Sequence, residues 1–116
     1  MTVQTKEQLT QAHCAPCEGG VDKLSADEAR QQLAQLDGWK LNSDSTQIEK
    51  KWNRGDFVSS LAFVNRIGEI AEQQNHHPDL HVEGYRNVRV VLSTHAIGGL
   101  SVNDFIVAAR IDELQD

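Results

Sequence analysis

The sequence predicts an α+β domain with the order helix, two strands, helix, two strands, helix. Its four-stranded antiparallel sheet carries the helices on one face. Three observations predict this. Apolar residues recur at helical spacing in three stretches, opening near Ser25, Asp56 and Ser101. Between them lie two pairs of short strand-like runs, each pair joined by turn-forming residues. With 116 residues, the chain fits one domain and leaves little room for a second.

Residues 1–23 are polar and lack sustained periodicity. They read as a flexible arm with room for one helical turn, followed by a single domain over 24–116. The arm contains His13-Cys14-Ala15-Pro16-Cys17. Two cysteines at this spacing make half a zinc site or a redox pair. A full structural zinc site needs four ligands, and the chain has no second pair of cysteines. The bland reading is a reduced, exposed pair; a metal shared across an oligomer and a redox role are the alternatives.

Ser25-Ala26-Asp27-Glu28 is a capping box and starts the first confident helix. Ala29, Leu33 and Leu36 follow at helical spacing, and Gly38 suits the stop. Trp39-Lys40-Leu41 and Gln47–Trp52 read as a hairpin around Asn42-Ser43-Asp44-Ser45. Asn53-Arg54-Gly55-Asp56 opens the longest helix. Its core face is expected at Phe57, Leu61, Val64, Gly68 and Ala71, widened by Phe63, Ile67 and Ile70. Pro78 is expected to end it. Strands follow near Leu80-His81-Val82 and Asn87–Leu92. In the second, Val88, Val90 and Leu92 point one way, Arg89 and Val91 the other. Gly98-Gly99 then breaks the chain. Ser101 and Asp104 open a last helix that is apolar around more than half its circumference. That surplus is a hint of a subunit interface, hence of a homo-oligomer.

Composition excludes several classes. A mean hydropathy of −0.49 and the lack of a long apolar run exclude a membrane span. The first residues have no apolar h-region, so no signal peptide is expected and the default compartment is cytoplasmic. Seventeen acids against eleven scattered bases, a net charge of −6, argue against direct nucleic-acid binding.

Four of the five histidines lie between positions 76 and 95. His76 and His77 stand where the long helix stops, and His95 just past the last strand. If those elements pack together, three imidazoles converge. Histidine accepts and donates protons near neutral pH, and a neighbouring imidazole disfavours a second positive charge. Such a set suits a dehydration: one group takes a proton while another protonates the departing hydroxyl. A metal site is the competing reading, since His76, His77, His81 and His95 are all potential ligands. Adjacent histidines do not easily share one metal, and the H-E-x-x-H spacing is absent, so no metal is expected. For any single histidine, capping a helix end is the default. His81 alternates with Leu80 and Val82 and reads as a surface residue. No nucleophile motif, phosphate loop or dinucleotide fingerprint occurs.

The segment Glu72-Gln73-Gln74-Asn75-His76-His77-Pro78, with Tyr85, Thr94-His95, Gly98-Gly99-Leu100-Ser101 and Asp104, resembles the pterin-4a-carbinolamine dehydratases. An acid stands four before the first histidine, an aromatic seven after the proline, a histidine ten beyond that, and an aspartate nine further on. The likeness extends more weakly from Leu24 to the tail, over about four-fifths of the chain. The cysteine-bearing arm is similar to bacterial members associated with phenylalanine hydroxylase.

The resemblance implies removal of water from a 4a-hydroxytetrahydropterin to give quinonoid dihydropterin. This is one step in recycling the pterin of an aromatic amino acid hydroxylase, and the dehydration itself is implied to use no metal or redox cofactor. It implies that His76, His77 and His95 line the pterin pocket. His76 and His95 are expected to transfer protons, and His77 to bind and orient. Pro78 would shape the wall, and the backbone at Ser93-Thr94-His95 would pair with the heterocycle's edge. Glu72 would orient His76. Asp104 also matches, although its role as a helix-start acid is the first expectation; Tyr85 is expected to pack. Many members carry an acid after the third histidine, where this chain has Ala96. The partners implied are the pterin, a second copy as dimer or tetramer, and functional coupling to phenylalanine hydroxylase. The reading from another class is a regulatory or dimerisation-type binding protein, as animal relatives also are; another pterin route, such as molybdopterin metabolism, is a weaker third.

Overall fold

A computed structural model describes residues 3–16 and 20–114. Helix α1 (Lys6–Gln11) and helix α2 (Ala26–Leu33) precede strands β1 (Lys40–Leu41) and β2 (Ile48–Asn53). Helix α3 (Phe57–Gln74), strands β3 (Asp79–Glu83) and β4 (Asn87–Leu92), a 3₁₀ turn (His95–Ile97) and helix α4 (Val102–Asp112) follow. The fold is α+β, with a four-stranded antiparallel sheet in the order β1-β2-β4-β3.

Register explains the sheet's two faces. Ile48 lies opposite Leu92, Trp52 opposite Val88, and Leu80 opposite Val90. These side chains share the helix-covered face, as a period of two requires. Lys51, Arg89 and His81 share the other, and Arg89 is tied there to Glu83 at 3.1 Å. The hairpin joining β1 and β2 is closed by Asn42, whose Oδ1 accepts from the amides of Thr46 and Gln47.

The expected caps form on α2 and α4, and α3 carries one as well. Ser25 and Glu28 form a capping box on α2, Ser101 and Asp104 another on α4, and Asp56 accepts from the Ser59 amide on α3.

Four expectations change. The arm is not loose over its described residues: Thr5 and Gln8 cap α1, and Leu9 is fully buried against the core. Periodicity misses this helix because six residues show barely two turns. The apolar surplus of α4 is consumed inside the chain, since α1 packs on the side that the sheet and α3 leave open. That surplus therefore carries no argument for a subunit interface. On α3 the buried stripe is Ser60, Phe63, Ile67, Ala71 and Gln74, while Phe57 and Leu61 are exposed. Phe63 sets this rotation: it packs edge-on against Trp52 at 5.2 Å, which meets Trp39 at 5.7 Å, and the Arg54 guanidinium covers its ring. Finally, α3 stops at Asn75 (φ 50°), before Pro78 can act. Asparagine tolerates the left-handed region that this stop requires.

Candidate active site

The end of α3 builds the first half of the site. Past Asn75, the His76 amide bonds back to the Ala71 carbonyl at 3.1 Å. This closure turns the His76 ring into the protein, where 4% of the residue stays exposed. Its Nε2 lies 2.7 Å from Oδ1 of Asp104, which is fully buried. His77, next in the chain, points outward, and its Nε2 bonds the Glu72 carboxylate.

The second half comes from β4 and the start of α4. Thr94 is buried and bridges to Gly99 through its amide at 2.7 Å. Its hydroxyl donates to Asp104 Oδ2 at 2.8 Å, and the Ser101 amide donates to the same oxygen at 3.0 Å. A carboxylate accepts only, so the His76 Nε2 carries a proton and the basic ring nitrogen is Nδ1. Thr94 has one hydroxyl proton and gives it to Asp104; the Ser101 hydroxyl therefore donates to Thr94 at 2.8 Å. Asp104 thus holds three donors with two oxygens.

His95 opens the 3₁₀ turn and is exposed. With Ser93, Thr94, Thr46 and Gln47 it lines an open cavity of about 220 Å³. That is smaller than the roughly 300 Å³ at which ligand-enclosing pockets begin. Gly98 turns the chain back with φ 65°.

Each expected site residue therefore has a place. His76 and the His95 segment are joined through Asp104, which bonds both the His76 ring and Thr94. His77 and Glu72 form a separate, exposed pair, and Pro78 is half-buried beside them. Glu72 does not orient His76, because the left-handed turn at Asn75 carries His76 inward while His77 stays on the Glu72 side. The orienting carboxylate is Asp104, which serves as helix-start acid and imidazole partner at once. Tyr85 is not a core residue: at φ 57° in the β3–β4 turn it stands more than half exposed, with the Arg86 guanidinium 5.7 Å from its ring. Ala96 is exposed beside His95. His81 lies on the polar sheet face opposite Arg89. Among the described residues no three His, Cys, Asp or Glu side chains gather as a metal site. Cys17 lies outside the described residues; Cys14 is half-buried, its thiol 3.6 Å from the Asn103 carbonyl oxygen.

Two buried amides were not singled out from the sequence. Gln74 follows Phe63, Ile67 and Ala71 at helical spacing, so a polar residue on the buried stripe was the available signal. Asn103 sits in the first turn of α4 and is fully buried.

The sequence model of the family described as pterin 4 alpha carbinolamine dehydratase matches residues 22–114. A provisionally named pterin-4-alpha-carbinolamine dehydratase of Halorhodospira halophila is 42% identical over 91% of this chain and 96% of its own. The mitochondrial pterin-4-alpha-carbinolamine dehydratase 2 of Arabidopsis thaliana is 41% identical over 92% of this chain and 59% of its own. Among solved structures, the transcriptional coactivator/pterin dehydratase from Brucella melitensis superimposes with a TM-score of 0.73 at 27% identity, covering 78% of this chain and 96% of its own.

Proposed function

The chain belongs to the pterin-4-alpha-carbinolamine dehydratase family, and we propose that it dehydrates a 4a-hydroxytetrahydropterin by histidine acid–base catalysis. The observation that carries this reading is the buried His76–Asp104 pair, linked through Thr94 to the His95 cavity.

The reaction needs one proton removed and one delivered. A ring nitrogen of the carbinolamine loses its proton, its electron pair forms the C=N bond, and the hydroxyl leaves carrying a proton as water. No electrons are gained or lost overall, and nitrogen lone-pair donation already helps expel the hydroxyl. Two imidazoles therefore suffice: His76 and His95 exchange the protons, and His77 orients the heterocycle. Asp104 fixes the His76 tautomer and ring plane, so Nδ1 is the group that accepts. This is the relation of a base to its orienting carboxylate. The backbone around Ser93, Thr94 and His95 holds the pterin edge, with Pro78 on the wall. In this reading the product is quinonoid dihydropterin, which a separate two-electron reduction must convert back to the tetrahydropterin before an aromatic amino acid hydroxylase can use it again.

A second reading, a regulatory binding protein, draws on the exposed Phe57, Val58 and Leu61 at the start of α3 and on the coactivator name of the Brucella relative. A coupled assay separates the two. Phenylalanine hydroxylase supplies the 4a-hydroxypterin, and its absorbance decay is followed with and without this protein. Acceleration is expected. His76→Ala and His95→Ala should each lower kcat about 10²-fold, the scale of a positioned acid or base. His77→Ala should mainly raise KM. No acceleration at micromolar protein would overturn the enzyme reading in favour of the binding one.

A further inference from the structure

The arm is fastened to the domain by buried side-chain amides. Gln32 of α2 accepts from the Gln4 amide at 3.0 Å and donates to the Gln4 carbonyl at 2.8 Å. Asn103 does the same for Ala15, accepting at 3.0 Å and donating at 2.8 Å. Gln74 accepts from the Cys14 amide at 2.8 Å and reaches His13 Nδ1 at 3.3 Å. All three amides are less than a tenth exposed. A buried amide that satisfies both its donor and its acceptor on one backbone residue fixes that backbone in position and register.

The second and third fastenings sit beside the site. Gln74 lies two residues before His76, and Asn103 directly precedes Asp104. Residues 13–15 therefore tie the end of α3 to the start of α4, the two element ends whose side chains meet as His76 and Asp104. The Arg110 guanidinium adds a bond to the Ala12 carbonyl at 2.6 Å. No other described segment bonds both amides.

From this we infer that residues 13–15 form a strap that sets the His76–Asp104 geometry, and that Gln74 and Asn103 are positioning residues of the site. The strap lies outside the matched residues 22–114, and neither amide touches the His95 cavity. The inference rests on the proposed dehydration for its kinetic consequence, but not for its structural one. A 2.7 Å bond between an imidazole and a carboxylate tolerates little drift between the two elements that carry them.

The test compares Asn103→Ala and Gln74→Leu with Gln32→Leu, which releases the same arm at its far end. The first readout is the ring N–H proton resonance of His76 in the intact protein, which is expected downfield and slow to exchange because Asp104 holds that proton. It should broaden or vanish in Asn103→Ala and Gln74→Leu and persist in Gln32→Leu. Gln74→Glu keeps the acceptor for the Cys14 amide and should retain the resonance. The second readout is the coupled assay: kcat should fall about tenfold in the two strap variants with KM nearly unchanged, as a displaced catalytic group predicts. If all three variants lose thermal stability alike while the His76 resonance stays as in the parent, the strap is merely structural and the inference fails. A parent protein with a normal His76 resonance and no dehydratase activity would defeat the proposed function instead. In that case the loss or survival of the resonance in the strap variants still decides the inference.

Discussion

At the scale of single residues, Asp104 concentrates the chemistry. It is a fully buried carboxylate whose two oxygens hold the His76 ring, the Thr94 hydroxyl and the Ser101 amide. Burying a charge is tolerated only when such donors replace water. The donors differ in what their removal leaves behind. Thr94→Val keeps the shape and removes one hydroxyl, so Asp104 still has His76 and the Ser101 amide. That should cost about 1–3 kcal/mol. Asp104→Asn places an NH₂ donor among donors and leaves the His76 Nε2–H or the Thr94 hydroxyl facing it. The cost should exceed that of Thr94→Val, at about 1–3 kcal/mol for each buried donor left without an acceptor. Urea unfolding with an unchanged m-value measures both. Equal midpoints for the two variants would mean that Asp104 is not the hub of the network.

At the scale of elements, α3 carries the site and shows what the sequence could convey. Its start and the histidines near its end were legible, because turn-forming residues before a 3.6-residue period and a distinctive cluster are local signals; its stop was not, since Asn75 ends it before Pro78. Neither was its rotation. The helix has more apolar residues than one face can bury, and the choice was made by Phe63 against Trp52, a contact between elements. The pairing of His76 with Asp104 was illegible for the same reason. It depends on one left-handed residue, Asn75, which decides that His76 turns inward and that Glu72 is left with His77. The cap at Asp56 makes a further prediction. Backbone amide bonding at Ser59, then its side chain, holds the Asp56 carboxyl below its ordinary pKa. A depressed carboxyl contributes stability that is present above its ordinary pKa and is lost as pH falls through the lowered value. Asp56→Ala should therefore unfold at lower urea than the parent at neutral pH, and the gap should close as pH drops below the carboxylate range. Asp56→Ser should keep the gap small at both pH values, since a hydroxyl caps without titrating. A gap independent of pH would assign the loss to something other than the ionised cap.

For the molecule as a whole, the arm and the long helix exchange the roles that periodicity assigns them. Leu9, in a segment too short and polar to reveal a core residue, is fully buried, while Phe57, the first residue of a strongly periodic helix, is half exposed. The helix α4 explains the exchange: apolar around more than half its circumference, it needs a cover beyond the sheet and α3, and α1 supplies it. A buried leucine cut to alanine loses its transfer energy and leaves a cavity, about 2–5 kcal/mol together. For a chain of this size each kcal/mol is roughly 4–8 °C in Tm. Leu9→Ala should thus lower Tm by about 10 °C or more. Phe57→Ala, although it removes the larger side chain, gives up only a partly covered one and should cost far less. Thermal unfolding of the two variants side by side measures the order directly. If Phe57→Ala were the more damaging, the exposed start of α3 would be covered in solution by another surface. A negligible effect of Leu9→Ala would mean that the arm does not form part of the core.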